Sequence, residues 1–133
     1  MSEAASFEIR FHIHDNPAAV GNEKQSQETG GRLPRITQVL ALAIHLNEMI
    51  RNADAKDYAD VARLSGLSRE RVSQIMRLNY LAPDIQVEIL YLPATPTGRY
   101  PISETAVREI ANMLWWRDQR DRWRALRASS GLT

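Results

Sequence analysis

One short segment constrains the fold of this chain most strongly, because two helical patterns meet in it at a glycine. Residues 58–77 read YADVARLSGLSRERVSQIMR. Apolar side chains occupy the four positions that would hold two crossed helices together: Val61, Leu67, Val72 and Ile75. Ala62 is small where the helices must approach, and Gly66 can adopt the positive φ that a tight turn needs. The segment therefore predicts a helix-turn-helix.

The opposite face of the second helix in this unit is polar. Its side chains follow the i, i+3, i+4, i+7 spacing of one helix face, and an arginine stands just inside the N-terminus. The major groove of DNA admits one α-helix, where arginine can fork onto guanine and glutamine onto adenine. We therefore predict that this helix contacts bases through Arg69, Glu70, Ser73, Gln74 and Arg77.

Phosphate contacts are predicted for residues that flank the same helix. Lys56 and Tyr58 lie at the start of the preceding helix, where phosphate contacts usually fall. Ser68 and Arg71 belong to the first turn of the second helix.

Two further arginines, Arg32 and Arg35, stand just ahead of the first long helical pattern. They are also candidates for phosphate contacts, and they could enter a minor groove as an N-terminal arm does. Ordinary loop arginines near a helix start would look the same in the sequence.

The rest of the body also reads as helical. Within the helix-turn-helix, one helix begins near Asp57, and Ser68 can cap the next, which runs to about Leu78. Apolar periodicity predicts four more helices, the first of which begins at Pro34. The others run from Pro83 to Leu92, from Ser103 to about Leu114, and from Trp116 to Ala128. The predicted fold is all-α, with about six helices around the helix-turn-helix.

A short strand is predicted ahead of the helices. Apolar side chains alternate strictly with polar ones at Phe7, Ile9, Phe11 and Ile13, which is the period of a half-buried strand. The predicted organisation is a strand arm at 1–14, a flexible linker at 15–32, a DNA-binding domain at 33–92, a loop at 93–102 and a helical extension at 103–128.

We expect a homodimer, because one recognition helix reads only a few base pairs and a dimer doubles the site. A lone strand is not stable, so the arm could pair with its copy in a second subunit. The last predicted helix, with Trp116 and Trp123 one heptad apart, is the other candidate interface. The sequence does not choose between them.

The last predicted helix also carries arginines on one face: Arg117, Arg120, Arg124 and Arg127. They could form a comb along the phosphate backbone. They could equally belong to a solvated face that is neutralised by neighbouring aspartates, for example Asp118 with Arg122 at i,i+4 spacing.

Composition narrows the classes of function. The net charge is +1, and 15 of the 17 basic residues are arginine, which suits forked contacts to phosphate or guanine. Residues 1–31 carry a net charge of −3 and residues 32–133 one of +4. The absence of cysteine excludes disulfides and thiolate metal sites.

Catalytic and metal sites have no good candidate in the sequence. We find no glycine-rich phosphate loop, carboxylate pair or Ser-His-Asp set, so we expect neither an enzyme nor a cofactor. His12 and His14 share a strand face, but they lack a third ligand at suitable spacing, so no metal is predicted. Without a signal sequence or a long apolar run, we expect a cytoplasmic, nucleoid-associated protein with no membrane partner.

The helix-turn-helix resembles known DNA-binding families. The stretch GLSRERV at 66–72, with Gln74 and Ile75, resembles the DNA-reading element of bacterial sigma factors. The longer stretch from Val61 to Leu90, including LAP at 81–83 and IQ at 85–86, is similar to the central domain of ParB/KorB-type partition proteins. There, a brace helix follows the recognition helix directly. The likeness does not extend to the nucleotide-binding domain of ParB proteins.

About 90 residues resemble small helix-turn-helix proteins encoded beside serine recombinases in bacterial mobile elements. The matching stretches are LPR at 33–35, ALA at 41–43, DYA at 57–59, QIM at 74–76, LAPDIQ at 81–86, IL at 89–90 with LP at 92–93, and the late Trp116, Gln119, Arg120 and Trp123. The resemblance implies a regulator of transcription, or an accessory factor in recombination, that binds double-stranded DNA. The alternative is an adaptor that binds a site-specific recombinase or RNA polymerase through the strand or the tryptophan-rich helix.

Overall fold

The computed structural model describes residues 31–131, and this part of the chain is helical. It contains six α-helices and one 3₁₀ helix: α1 Arg35–Arg51, α2 Tyr58–Ser65, α3 Arg69–Met76, the 3₁₀ helix Arg77–Tyr80, α4 Pro83–Leu90, α5 Glu104–Ala111 and α6 Trp116–Ser129. The prediction of an all-α body is confirmed for these residues. The predicted strand arm, with Phe7, Ile9, Phe11 and Ile13, lies outside them.

The longest helix, α1, is the centre of the core. Its apolar stripe is buried at Ile36, Val39, Leu40, Leu42, Ala43 and Leu46. This stripe packs against α3, α4, α5 and the 3₁₀ helix. A polar residue in the same stripe, Thr37, is satisfied because its hydroxyl donates to the Ile89 carbonyl at 2.6 Å. The first helix is therefore the scaffold on which the helix-turn-helix is mounted.

Helix starts follow the side chains that the sequence offers. Asp57 caps α2 by accepting from the amide of Asp60 at 2.9 Å, and Ser103 caps α5 by accepting from the amide of Ala106 at 3.2 Å. Pro83 occupies the first turn of α4, where its missing amide hydrogen is not needed. Pro34 was predicted in the first turn of α1, but it occupies the N-cap position one residue earlier.

Three predicted helix ends differ from the structure by two or three residues. The α-helical part of α3 stops at Met76, and the chain tightens into the 3₁₀ helix. The fourth helix ends at Leu90 and the fifth at Ala111. The end of α5 leaves the Met113 carbonyl free to accept from the side chain of Gln119 at 3.1 Å. Such ends depend on tertiary hydrogen bonds, which periodicity does not report.

The segment before α1 is tied to the loop between α4 and α5. The backbones of Arg32 and Thr95 exchange two hydrogen bonds of 2.8 Å in an antiparallel bridge. Gly31 has a φ of 108°, and a Cβ there would stand 2.6 Å from the Thr95 carbonyl oxygen. Gly31 and Arg32 are therefore part of the folded body, although they were predicted to end a flexible linker.

Candidate nucleic-acid interface

The turn between α2 and α3 has the geometry that its sequence predicted. Gly66 adopts the left-handed conformation, with φ 76° and ψ 18°, and ends α2. The amides of Gly66 and Leu67 both donate to the Ala62 carbonyl, at 3.0 and 3.2 Å. Ser68 then caps α3 by accepting from the amide of Arg71 at 3.0 Å. The two helices are therefore joined by a short turn whose backbone groups are satisfied.

One side of α3 is fixed in the core. Val72, Ile75 and Met76 are buried, and Val61 of α2 is buried with them. Leu67, in the turn, is half-buried against the same cluster. The residues predicted to pin the two helices together therefore do so, and the orientation of α3 about its own axis is set.

The opposite side of α3 is open. Arg69, Glu70, Ser73 and Arg77 are all exposed. The guanidinium of Arg77 donates to the side-chain oxygen of Asn112 at 3.1 Å. Asn112 is a neutral partner, and within residues 31–131 no carboxylate pairs with Arg77. Four of the five residues predicted to contact bases therefore share an accessible face.

Gln74, the fifth predicted base contact, is half-buried at the edge of this face. Its side-chain oxygen accepts from Nη1 of Arg71 at 3.1 Å. Arg71 in turn donates two hydrogen bonds, of 2.6 and 3.0 Å, to the carboxylate of Glu104 at the start of α5. This arrangement is at odds with the predicted phosphate contact by Arg71, because its guanidinium is turned toward α5.

The opposite charges in this contact stabilise each other. Burial raises the pKa of Glu104, but hydrogen bonds and charges from Arg71 and Arg108 outweigh that effect and hold its pKa below the ordinary value. The hydrogen bond to Glu104 raises the pKa of Arg71 above its ordinary value. A forked arginine–carboxylate pair of this kind is geometrically specific. It fixes the flank of α3 to α5.

A second cluster links the start of α2 to the 3₁₀ helix that follows α3. Burial raises the pKa of Tyr58, the hydroxyl of Tyr80 raises it further, and the charge of Arg77 lowers it. Tyr58 and Tyr80 are both exposed. Of the predicted phosphate contacts, Tyr58 therefore lies within electrostatic reach of a predicted base contact.

The other predicted phosphate contacts lie at separate places. Lys56 is exposed, and its backbone amide donates to Asp60 at 3.0 Å. Arg35 is exposed at the start of α1, where its amide donates to the Gly98 carbonyl at 3.0 Å. The backbone of Arg32 is paired with that of Thr95. Arg32 is therefore fixed to the helical body and does not belong to a free N-terminal arm.

The last helix is held to the body by the tryptophan that was offered as a candidate interface. Trp123 is only 3% exposed, and its indole N–H donates to Glu88 at 2.8 Å. Arg127 donates to the same carboxylate oxygen at 2.8 Å and lies over the Trp123 ring, 5.8 Å from its centroid. Trp123 is therefore unavailable to a second subunit, which corrects the prediction.

The proposed arginine comb is largely neutralised. Arg120 pairs with Asp84 at 2.9 Å, Arg127 with Glu88 at 2.8 Å, and Arg124 with Asp121 at 3.2 Å. Two of these three acids lie on α4, so the pairs hold the helices together. The alternative reading, a face neutralised by acids, fits these contacts better, although most of those acids come from another helix.

Trp116 is the exposed member of the tryptophan pair. Leu114, Trp115 and Trp116 are 79, 63 and 49% exposed, in one run that ends at the first residue of α6. Trp116 and Leu114 line a groove with Tyr80 and Arg77. Whether the strand arm or the last helix forms a dimer interface stays open as a prediction. Of the two tryptophans predicted for the helical interface, only Trp116 is accessible.

Three residues that contact the predicted site were not predicted from the sequence: Glu104, Asn112 and Tyr80. Glu104 follows Ser103 and looks like an ordinary acidic residue in a first helical turn. Asn112 ends α5, and Tyr80 ends the 3₁₀ helix. Their importance comes from contacts with Arg71, Arg77 and Tyr58, more than 20 residues away in the chain. The sequence holds no signal for those pairings.

Comparisons of the chain with protein-family models, with curated proteins and with solved structures give no match. Among residues 31–131, no helix combines the length and apolar character needed to cross a membrane. In the same part of the chain, we find no group of three histidine or acidic side chains placed to hold a metal ion.

Proposed function

We propose that this chain binds double-stranded DNA sequence-specifically, with α3 in the major groove. The observation that carries the proposal is the contrast between the two sides of α3. Val72, Ile75 and Met76 fix one side in the core, while the other side presents Arg69, Glu70, Ser73 and Arg77 to solvent. A rigid helix with an accessible polar face is what reading base edges requires.

The chemistry of the open face suits a mixed base sequence. Arg69 and Arg77 can donate two hydrogen bonds each to guanine, Glu70 can accept from cytosine, and Ser73 can contact either kind of edge. Lys56 and Tyr58 are placed at the start of α2, which in this class of motif crosses the DNA backbone. The proposed role is that of a transcription regulator or recombination accessory factor, acting as a homodimer.

The test is selection of duplexes from a library with about 20 randomised base pairs, two turns of DNA. Fluorescence anisotropy on the selected duplex then gives the affinity from about 50 to 200 mM salt. We expect one enriched motif and a linear fall of log affinity with log salt concentration. Lack of enrichment together with a flat salt response would exclude the proposal.

A matched pair of variants separates specific contacts from charge alone. Arg69→Ala should weaken binding to the selected duplex by about tenfold or more and relax the preference at one base pair. Arg51→Ala, at the end of α1 and paired with Glu48, removes the same charge away from α3. It should leave the sequence preference unchanged.

A second candidate function is supported by the exposed apolar run at Leu114, Trp115 and Trp116. Exposed clusters of this kind mark protein interaction sites. In this alternative, the chain is an adaptor for a site-specific recombinase or RNA polymerase. Titration with purified RNA polymerase or with the recombinase distinguishes the two, because an adaptor binds protein in a Trp116-dependent way and gives no enriched duplex.

A further inference from the structure

The contact between α3 and α5 controls a side chain on the face that we propose to read DNA. The carboxylate of Glu104 receives Nη1 of Arg71 at 2.6 Å and Nη2 at 3.0 Å. Arg108, one turn later in α5, donates to the same carboxylate. The side chains of Glu104, Arg108 and Arg71 are 15, 23 and 29% exposed. The Arg71 guanidinium is therefore held in one plane and one position.

This fixed guanidinium orients the amide of Gln74. Nη1 of Arg71 also donates to Oε1 of Gln74 at 3.1 Å. A guanidinium has only donors, so the amide atom that faces it must be the oxygen. The amide nitrogen is then turned away from Arg71, and no side chain or backbone group within residues 31–131 accepts a hydrogen bond from it.

The orientation changes what Gln74 can read. A free glutamine prefers adenine because its amide accepts from N6 and donates to N7 at the same time. Arg71 occupies one of the two acceptor sites of the Gln74 oxygen and fixes the plane of the amide, so Gln74 keeps two free N–H donors but can no longer turn its oxygen freely toward the adenine amino group. Guanine, with acceptors at both O6 and N7, matches a side chain that presents its donors.

We infer that the chain Glu104–Arg71–Gln74 sets base preference, so that Gln74 selects guanine over adenine at the base pair it faces. The inference rests on the proposed DNA-binding function. Arg71 and Glu104 are positioning residues here, because they act through Gln74. Gln74 is the residue that touches the base.

The experiment starts from the duplex selected by the wild-type protein. Gln74→Ala identifies the base pair that Gln74 reads, as the one position whose preference is lost. At that pair we expect the wild-type protein to prefer guanine over adenine by about tenfold, the range of one good base contact. Competition anisotropy with duplexes that differ only at this pair gives the ratio.

The second step removes the constraint. In Glu104→Ala, Arg71 is no longer held, and the preference at this pair should move toward adenine while the other positions keep theirs. Arg108→Ala is the matched control, since Arg108 contacts Glu104 but not Gln74. It should leave the preference for guanine unchanged. A purely structural role of Glu104 would lower affinity for all duplexes alike.

The outcomes distinguish a failure of the proposed DNA-binding function from a failure of this inference alone. If the wild-type protein enriches no duplex, the proposed function fails and this inference fails with it. If it binds a selected duplex but prefers adenine at the Gln74 position, DNA binding stands and this inference alone is overturned. The same holds if Glu104→Ala folds and keeps the guanine preference. Should Glu104→Ala not fold, the wild-type ratio still decides the question.

Discussion

The open face of α3 and the surface of α6 both carry arginines, and the two regions differ in what surrounds those charges. On α6, Arg120 and Arg127 face the acids Asp84 and Glu88 of α4. On α3, Arg69 has no ion-pair partner among residues 31–131, and the adjoining Arg77 has a neutral amide. The number of arginines on a helix therefore says little about the electrostatic potential at its surface, because acids on the neighbouring helices decide which of those charges are neutralised.

The two helices also differ in role, because α6 is attached to the body along its inner face while α3 has an open polar face. The inner face of α6 is attached to the body through two buried residues, Trp123 and Gln119, and through the ion pairs of Arg120 and Arg127 with α4. Gln119 accepts from the amide of Ala82 at 2.8 Å and donates to the carbonyl of Tyr80 at 3.1 Å. We interpret α6 as a brace for the end of the helix-turn-helix, whereas α3 carries the face that we propose contacts DNA.

The largest effect should come from breaking that brace. Trp123→Ala removes a buried ring and its hydrogen bond to Glu88, and we expect a loss of about 3–5 kcal/mol in the free energy of unfolding. Urea denaturation followed by circular dichroism gives the value. A Trp116→Ala control should cost much less, because Trp116 is half exposed. Equal losses would show that α6 is not attached as described.

Arg77 and Arg127 test the contrast in charge directly. Arg77→Ala should weaken binding to a selected duplex by about 1–3 kcal/mol, because the charge it loses is not neutralised. Arg127→Ala removes the same charge from an ion pair with Glu88, so DNA affinity should stay within about 0.5 kcal/mol. Anisotropy at one salt concentration measures both. A larger loss of DNA affinity in Arg127→Ala would support the hypothesis that the arginines of α6 contact the phosphate backbone.

The ion pair between Glu104 and Arg71 should make the stability of the protein depend on pH. Because its pKa in the folded protein lies below the ordinary value, its stabilising contribution is present above about pH 4.3, the unfolded value. That contribution is lost as the pH falls through the lower, folded pKa. Glu104→Gln should therefore be less stable than wild type near neutral pH, by about 1–2 kcal/mol. The gap should close in acid, as followed by urea denaturation at a series of pH values.

The smallest effect is expected at the surface of α6. Arg124→Ala removes an exposed pair with Asp121 at i,i+3 spacing, which should change the stability by less than about 0.5 kcal/mol. Thermal unfolding measures the change. A clear loss would mean that solvent does not screen this pair as its exposure indicates.

Local features of the site could be predicted from the sequence with good accuracy. Asp57, Gly66 and Ser68 mark helix ends through contacts within four residues, and each does what its position predicted. The buried side of α3 also follows from periodicity. The fates of Arg71 and Trp123 could not be predicted, because their partners Glu104 and Glu88 lie 33 and 35 residues away.

The sequence by itself determined the helices, their caps, the left-handed turn at Gly66 and the division of α3 into an apolar and a polar side. These depend on backbone preferences and on side chains within one or two turns of each other. Only the tertiary structure decided which polar groups on α3 stay open, how the amide of Gln74 is turned, and which arginines are neutralised. Those outcomes depend on where α4 and α5 place an acid, and helix packing, not local pattern, sets that position.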